Sequence, residues 1–87
     1  MIYVIKKDNT REEFYVKKVI AAVNKSANRV LYTFTEDETQ AICDYVENYV
    51  HHMTTNEIQI WQMHNIVEAA LESVRPAVAK SNRDYRN

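Results

Sequence analysis

Two short runs, Ile2 to Lys6 and Arg11 to Phe14, carry β-branched or aromatic side chains and flank Asp8-Asn9. They predict a β-hairpin. Asn9 takes the place of a turn glycine, because asparagine tolerates left-handed backbone. The period then changes. Val16, Val19, Ile20, Val23 and Ala27 recur at helical spacing and predict a helix over about 16–27, closed by the polar stretch Asn24 to Arg29. A second helix is expected to open at the capping box Thr35-Glu36-Asp37-Glu38, with a stripe of Ile42, Val46, Tyr49 and Val50. His51-His52-Met53 reads as leaving that helix, with room for a short third strand. Thr54-Thr55-Asn56-Glu57 reads as a second capping box, opening a third helix. Its broad apolar face holds Ile58, Trp61, Ile66, Val67, Ala70, Leu71 and Val74. Pro76 suits the first turn of a fourth helix that reaches about Arg86. The predicted fold is α+β, mainly α: a four-helix bundle capped by an N-terminal β-hairpin, with a place for a short third strand. Two strands alone are marginal in water, so the hairpin must lean on the helices.

The hairpin loop decides which side chains share a face. A two-residue loop at Asp8-Asn9 would set Val4 opposite Glu13. A three-residue loop, Asp8 to Thr10, would set Val4 opposite Phe14 and Lys6 opposite Glu12. One residue of slip reverses every side chain. The odd loop is favoured, because it gathers Val4, Lys6, Glu12 and Phe14 on one face.

The chain has 87 residues, which fits one domain, 1–87. With 46% hydrophobic and 26% charged residues it reads as globular. A net charge of -1 argues against general, direct nucleic-acid binding. Any anion site must therefore come from local clustering of charge. The lone Cys43 leaves no internal disulfide and no cysteine-based zinc site, and it points to a reducing, cytoplasmic setting. Neither a signal peptide nor a membrane span is expected. Glycine is absent, which removes every phosphate loop that depends on it, Walker A and the dinucleotide fingerprint alike. A nucleotide would have to be held mostly by side chains.

Local clustering is present. Lys6, Lys7, Lys17 and Lys18 fall within the first 18 positions, with Glu12 and Glu13 between them. Lysines on a strand edge are commonly just solvated. Lysines at a helix N-terminus are less ordinary, because the dipole there prefers anions. They cost little if an anionic ligand sits beside them. A carboxylate beside Val4, Phe14 and Val19 could accept a hydrogen bond from an adenine amino group. Its bland alternative is pairing with a lysine. Thr55 is read as a helix cap whose N-terminus also offers a hydroxyl and N–H groups to phosphate, with Gln59 one turn on. Arg83 and Arg86 form one basic face of the last helix, solvated by default. His51, His52 and His64 lack metal-ligand spacing, so no metal site is assigned. Trp61 and the tyrosines are read as core, and Cys43 as a small buried hydrophobe. No catalytic constellation emerges, which favours a binding or regulatory module over an enzyme.

These residues fall in a familiar order. Val4-Ile5-Lys6-Lys7-Asp8-Asn9, then Glu12-Glu13-Phe14, then Lys18-Val19, resembles the ATP-cone domain. So do Thr55-Asn56-Glu57-Ile58-Gln59, the run Ile66 to Leu71, and the closing run Val78 to Arg86. The resemblance covers nearly the whole chain. It implies an allosteric domain that binds ATP or dATP, with Mg2+, and regulates a ribonucleotide reductase. The closing run looks most like the anaerobic, glycyl-radical class, an anaerobic ribonucleoside-triphosphate reductase. By resemblance, Lys6, Lys7, Lys18, Thr55 and Gln59 would contact phosphates; Arg83 and Arg86 are added, on their shared helix face alone, as candidates for further phosphate charge. Glu12 would read the adenine amino group, and Val4, Phe14, Val19 and Ile58 would surround the ring. Other expected partners are the remainder of the reductase chain, following Asn87, and its other subunits. No membrane is expected among them. Three positions depart from the family pattern: Asn9 for glycine, Lys7 for arginine, and Asn82 where tyrosine is frequent. The competing reading is a helical interaction or oligomerisation module with a degenerate nucleotide site. Its sign would be an exposed apolar patch around Tyr45, Tyr49 and Trp61.

Overall fold

The computed structural model describes residues 1–86, with side chains through Asp84. Two short strands, β1 (Tyr3–Ile5) and β2 (Arg11–Glu13), precede α1 (Val16–Arg29) and α2 (Glu36–His51). A third strand, β3 (Glu57–Gln59), runs directly into α3 (Ile60–Val74), and α4 (Pro76–Arg86) follows. The architecture is α+β and mainly helical, with one three-stranded sheet in the order β2-β1-β3.

The hairpin has the favoured face but not the expected register. Val4 lies opposite Glu12, and the Lys6 and Thr10 backbones meet across the end of the ladder at 2.9 Å. The loop is therefore Lys7-Asp8-Asn9, one residue earlier than the odd loop expected. Both registers share parity, so Val4, Lys6 and Glu12 still face one way. The turn closes through the Asn9 N–H on the Lys6 carbonyl at 2.9 Å, and Asn9 has φ 67. Asn9 thus supplies the left-handed residue that a three-residue hairpin loop needs. Asp8 braces the turn, accepting from the Thr10 N–H at 3.1 Å and from its hydroxyl at 2.6 Å. Those bonds hold the Asp8 carboxyl below its ordinary pKa.

The third strand is not at His51-His52-Met53. Helix α2 runs through His51, and the added strand is Glu57–Gln59, paired parallel to β1 with Val4 opposite Ile58. This also corrects the start of α3. The expected capping box at Thr54 to Glu57 is displaced because β1 claims the backbone of residues 57–59. Thr55 Oγ1 instead accepts from the Glu57 N–H at 3.2 Å, within the approach to the strand. The helix opens after Gln59, whose N–H donates to Gln62 Oε1 at 3.0 Å. On the outer face of the sheet the Arg11 guanidinium lies 3.8 Å from the Tyr3 ring centroid and 3.6 Å from the Glu57 carboxylate.

The core collects one side of every helix: Val23 and Ala27 of α1, Ile42, Val46 and Val50 of α2, Ala70 and Leu71 of α3, Val78 and Ala79 of α4. Ile58 of β3 joins them, with no exposed surface. The reading of Trp61 and the tyrosines as core fails at several positions: Tyr15, Tyr45, Tyr49 and Trp61 are all exposed, Trp61 to 61%. The buried face of α3 follows Met63, Ile66, Val67, Ala70 and Leu71, and Trp61 points away from it.

Helix ends are set by side chains and backbone. Thr35 and Glu38 form the reciprocal box expected of α2. Helix α1 ends with Tyr32 N–H on the Ala27 carbonyl at 2.9 Å and Leu31 N–H on the Asn28 carbonyl at 3.1 Å. That is a Schellman closure with Leu31, φ 57, at the left-handed position where glycine is usual. Glu38 does more than cap. Its carboxylate accepts from the Tyr32 hydroxyl at 2.5 Å and from Arg75 at 3.1 Å, and Arg75 also donates to the Tyr32 hydroxyl at 2.7 Å. The guanidinium stacks 4.4 Å from the Tyr32 ring centroid. This latch ties the α1–α2 turn to Arg75, the one residue between α3 and α4. Hydrogen bonds from Tyr32 and the Thr35 backbone pull the Glu38 pKa down to about 2 from an ordinary 4.5. A depressed carboxyl stabilises the fold above its unfolded pKa and loses that contribution as pH falls through the folded value. Thermal stability should therefore fall between about pH 4.5 and pH 2 more steeply in the native chain than in Glu38→Gln. Equal slopes would show that the latch contributes nothing. Cys43 is buried, and burial raises its thiol pKa, as suits a core residue.

Candidate functional site

Helices α2 and α4 each pack against both α1 and α3, and α1 and α3 do not pack closely on each other. A cleft of about 440 Å3 opens between them. The hairpin forms one end through Val4, Lys6, Glu12 and Phe14, and Asn82 of α4 stands at its lining too. That volume falls within the ordinary range for small-molecule sites.

The hairpin end has a defined electrostatic arrangement. The Glu12 carboxylate pairs with Lys6 Nζ at 2.5 Å and with Lys18 Nζ. It therefore joins two cations, one from β1's exit and one from the first turn of α1. All three side chains keep solvent access, so the pairs add little to stability. They do fix direction: two amines and a carboxylate face the same space. Glu12, Val4 and Ile58 form one row across the sheet, which puts Glu12 beside apolar Val4. Phe14 and Val19 supply apolar surface nearby.

The residues expected at a site divide sharply. Val4, Lys6, Glu12, Phe14, Lys18 and Val19 all line the cleft. Ile58 lies wholly buried beside Val4 and supports the sheet from beneath. Lys7, Thr55 and Gln59 are exposed and outside the lining. Arg83 turns to α3, 3.9 Å from Glu68 and 3.8 Å from Glu72. The side chain of Arg86 lies outside the described residues.

Sequence reasoning missed most of the lining. Lys25, Ser26 and Arg29 of α1, Met63 and His64 of α3, and Asn82 of α4 all face the cleft. A signal for the first group was present. Lys18, Ala22, Lys25 and Arg29 are spaced four, three and four residues apart, which stacks them on one face of a helix. Ser26 is 1% exposed and fully bonded: its hydroxyl donates to Asn82 Oδ1 at 2.9 Å and accepts from Arg29 Nη1 at 3.3 Å. Ser81 adds a bond to the Ser26 carbonyl at 3.0 Å. Asn82, a departure from the family pattern, thus has a definite partner across the α1–α4 contact. The lining carries four cationic side chains, Lys6, Lys18, Lys25 and Arg29, against two carboxylates, Glu12 and Glu13. A chain of net charge -1 therefore has a cleft with a cationic excess.

A second, smaller groove of about 270 Å3 lies between α2 and α3, where Tyr45, Tyr49 and Trp61 are exposed together. Among the described residues no group of three or more His, Cys, Asp or Glu side chains could hold a metal ion. No helix among them is long and apolar enough to cross a membrane.

Residues 2–87 match the ATP cone domain. The anaerobic ribonucleoside-triphosphate reductase of Haemophilus influenzae (strain ATCC 51907 / DSM 11121 / KW20 / Rd) is 35% identical over 85 residues. The alignment covers 97% of this chain and 12% of that relative, so the chain spans a small part of the relative's length. With a match over nearly every residue, the chain belongs to the ATP cone domain family.

Proposed function

We propose that the chain senses adenine nucleotides, taking ATP or dATP into the cleft between α1 and α3 and regulating an anaerobic-class ribonucleotide reductase of which it forms part. The observation that carries this reading is the cleft's composition: apolar walls, a cationic excess, and one carboxylate held at the apolar end. Glu12 accepts a hydrogen bond from the adenine amino group, while Val4, Phe14 and Val19 cover the faces of the ring. Lys6 and Lys18 are then shared between Glu12 and the ligand. Magnesium arrives on the phosphates, since no ready-made cluster for it exists among the described residues. Lys7, Thr55 and Gln59 would reach the ligand only if the hairpin tip or the β3 approach moved toward it.

The role is regulatory rather than catalytic. A ligand that shifts an equilibrium must bind one state better than the other. ATP and dATP differ by one hydroxyl, so opposite effects require a contact to that group. The exposed aromatic groove on the α2–α3 side favours an additional role as a contact face for another part of the reductase.

The test is thermal unfolding with and without nucleotide. ATP or dATP at about 100 times its dissociation constant should add about 2.7 kcal/mol of stability. For a domain of this size that raises the melting temperature by roughly 10 °C or more. GTP should give a clearly smaller shift. Calorimetry showing no heat with any adenine nucleotide would overturn the reading.

A further inference from the structure

We infer that the groove between α2 and α3 docks a cationic amphipathic polypeptide segment, with an arginine or lysine of that segment lying against Tyr45, Tyr49 and Trp61. This rests on the contact-face reading of the groove and adds the chemistry of what covers it. Tyr45 and Tyr49, four residues apart, share one side of α2, and Trp61 and Asn65, four apart, share one side of α3. All four line the groove and all four are exposed. Met53 and Ile66 give it an apolar floor. Protein interfaces centre on buried tyrosine and tryptophan, so three such rings left in water mark a face that a partner covers. At about 270 Å3 the groove falls below the usual range for free small molecules, and its lining holds no lysine or arginine for a phosphate. It suits side chains presented by a polypeptide.

Charge selects the segment. Helices α2 and α3 carry seven of the chain's 12 carboxylates, five on α2 with Glu68 and Glu72 on α3, and none of its 11 lysines and arginines. Cations from elsewhere meet three of the seven: Arg75 at Glu38, and Arg83 at Glu68 and Glu72. Among the described residues no lysine or arginine pairs with Asp37 or Asp44. Asp44 is exposed, adjoins Tyr45 on α2 and accepts from the neutral amide of Gln40 at 2.8 Å. Tryptophan and tyrosine rings attract cations to their faces, arginine more often than lysine. Carboxylates on the same two helices reinforce that preference and steer a basic segment in. A second copy seated by two-fold symmetry would instead set the same carboxylates against each other, at a cost.

Trp61 is the sole tryptophan, so its fluorescence reports on the groove directly. The 87-residue chain is titrated with two synthetic helical peptides that share a leucine stripe, one bearing arginines and the other glutamates. The arginine peptide should give a saturable change in Trp61 emission, and the glutamate peptide none. Asp44→Lys and Tyr49→Ser, both at exposed positions, should each lower affinity for the arginine peptide at least tenfold. The melting temperature without peptide checks their fold. Asp84→Lys makes the same charge change on α4, outside the groove, and should shift that affinity less than threefold. Affinity for ATP should be unchanged in Asp44→Lys and Tyr49→Ser, which keeps the outcome separate from the nucleotide reading. No binding of the arginine peptide, equal binding of both peptides, or an equal loss in Asp84→Lys overturns the docking chemistry. A Trp61 signal that follows protein concentration without peptide overturns it too, because a second copy would then be the occupant. Overlapping peptides from the remainder of the Haemophilus influenzae relative form a second arm. Those that bind should carry arginine or lysine beside large apolar residues. If none binds while the arginine peptide does, the chemistry of the segment stands and the reductase falls as its source.

Discussion

Ile58→Ala is expected to lower the unfolding free energy by about 2–5 kcal/mol, the usual range for emptying a fully buried aliphatic site. Strand β3 has three residues in the pattern exposed, buried, exposed, and Ile58 is its only inward side chain. Its other two side chains are exposed, and the Glu57 pairing with Arg11 at 3.6 Å is a solvent-accessible one that adds little. Loss of the Ile58 anchor weakens the parallel pairing of Val4 with Ile58, leaving a two-stranded hairpin of marginal stability over the helices. Small domains have only about 5–15 kcal/mol to lose, so the variant should show a melting temperature lower by roughly 10 °C or more. Urea unfolding followed by circular dichroism measures this directly. A loss below about 1 kcal/mol would show that the helices hold the sheet without Ile58.

Filling the cleft should have the largest effect on ligand. Ala22 lies on α1 between Lys18 and Lys25, exposed to the cleft and outside the core. Ala22→Phe places a ring in the middle of the proposed nucleotide path. Its cost in helix propensity is about 0.5 kcal/mol, so the fold should survive. Affinity should fall at least 100-fold, a loss of about 2.7 kcal/mol. Adenosine and ATP should be affected together, because the block falls on the path itself. Competition titration with a fluorescent adenine nucleotide measures both. Unchanged affinity for both ligands would place the nucleotide elsewhere.

Much of this was legible because it is local. Val19, Val23 and Ala27 recur at the helical period. Thr35 and Glu38 form their box within four residues. Asn9 takes the left-handed position that its neighbours require. What was not legible depends on distant pairing. Thr54 to Glu57 has the composition of a capping box, yet the backbone of residues 57–59 is drawn onto β1, more than fifty residues earlier. No short-range pattern reports such a parallel pair. Once the start of α3 moves to Ile60, the phase of its buried face is set by Met63, and Trp61 falls outside it. The site divided along the same line. Side chains on the hairpin and on the first turn of α1 were read from adjacent positions. Ser26 meets Asn82 only because α4 folds back onto α1, and nothing in either segment announces the other.

The uneven placement of charge on the helices has a consequence for kinetics. Helix α1 carries Lys17, Lys18, Lys25 and Arg29 with no acid, while α2 carries Glu36, Asp37, Glu38, Asp44 and Glu47 with no lysine or arginine. The molecule is nearly neutral as a whole, yet two neighbouring helices carry opposite charge. A diffusing polyanion is turned aside on the α2 flank and drawn in on the α1 flank, where the cleft opens. Productive encounters are thus selected by orientation before any contact is made. Added salt shortens the reach of that selection to less than the width of the domain.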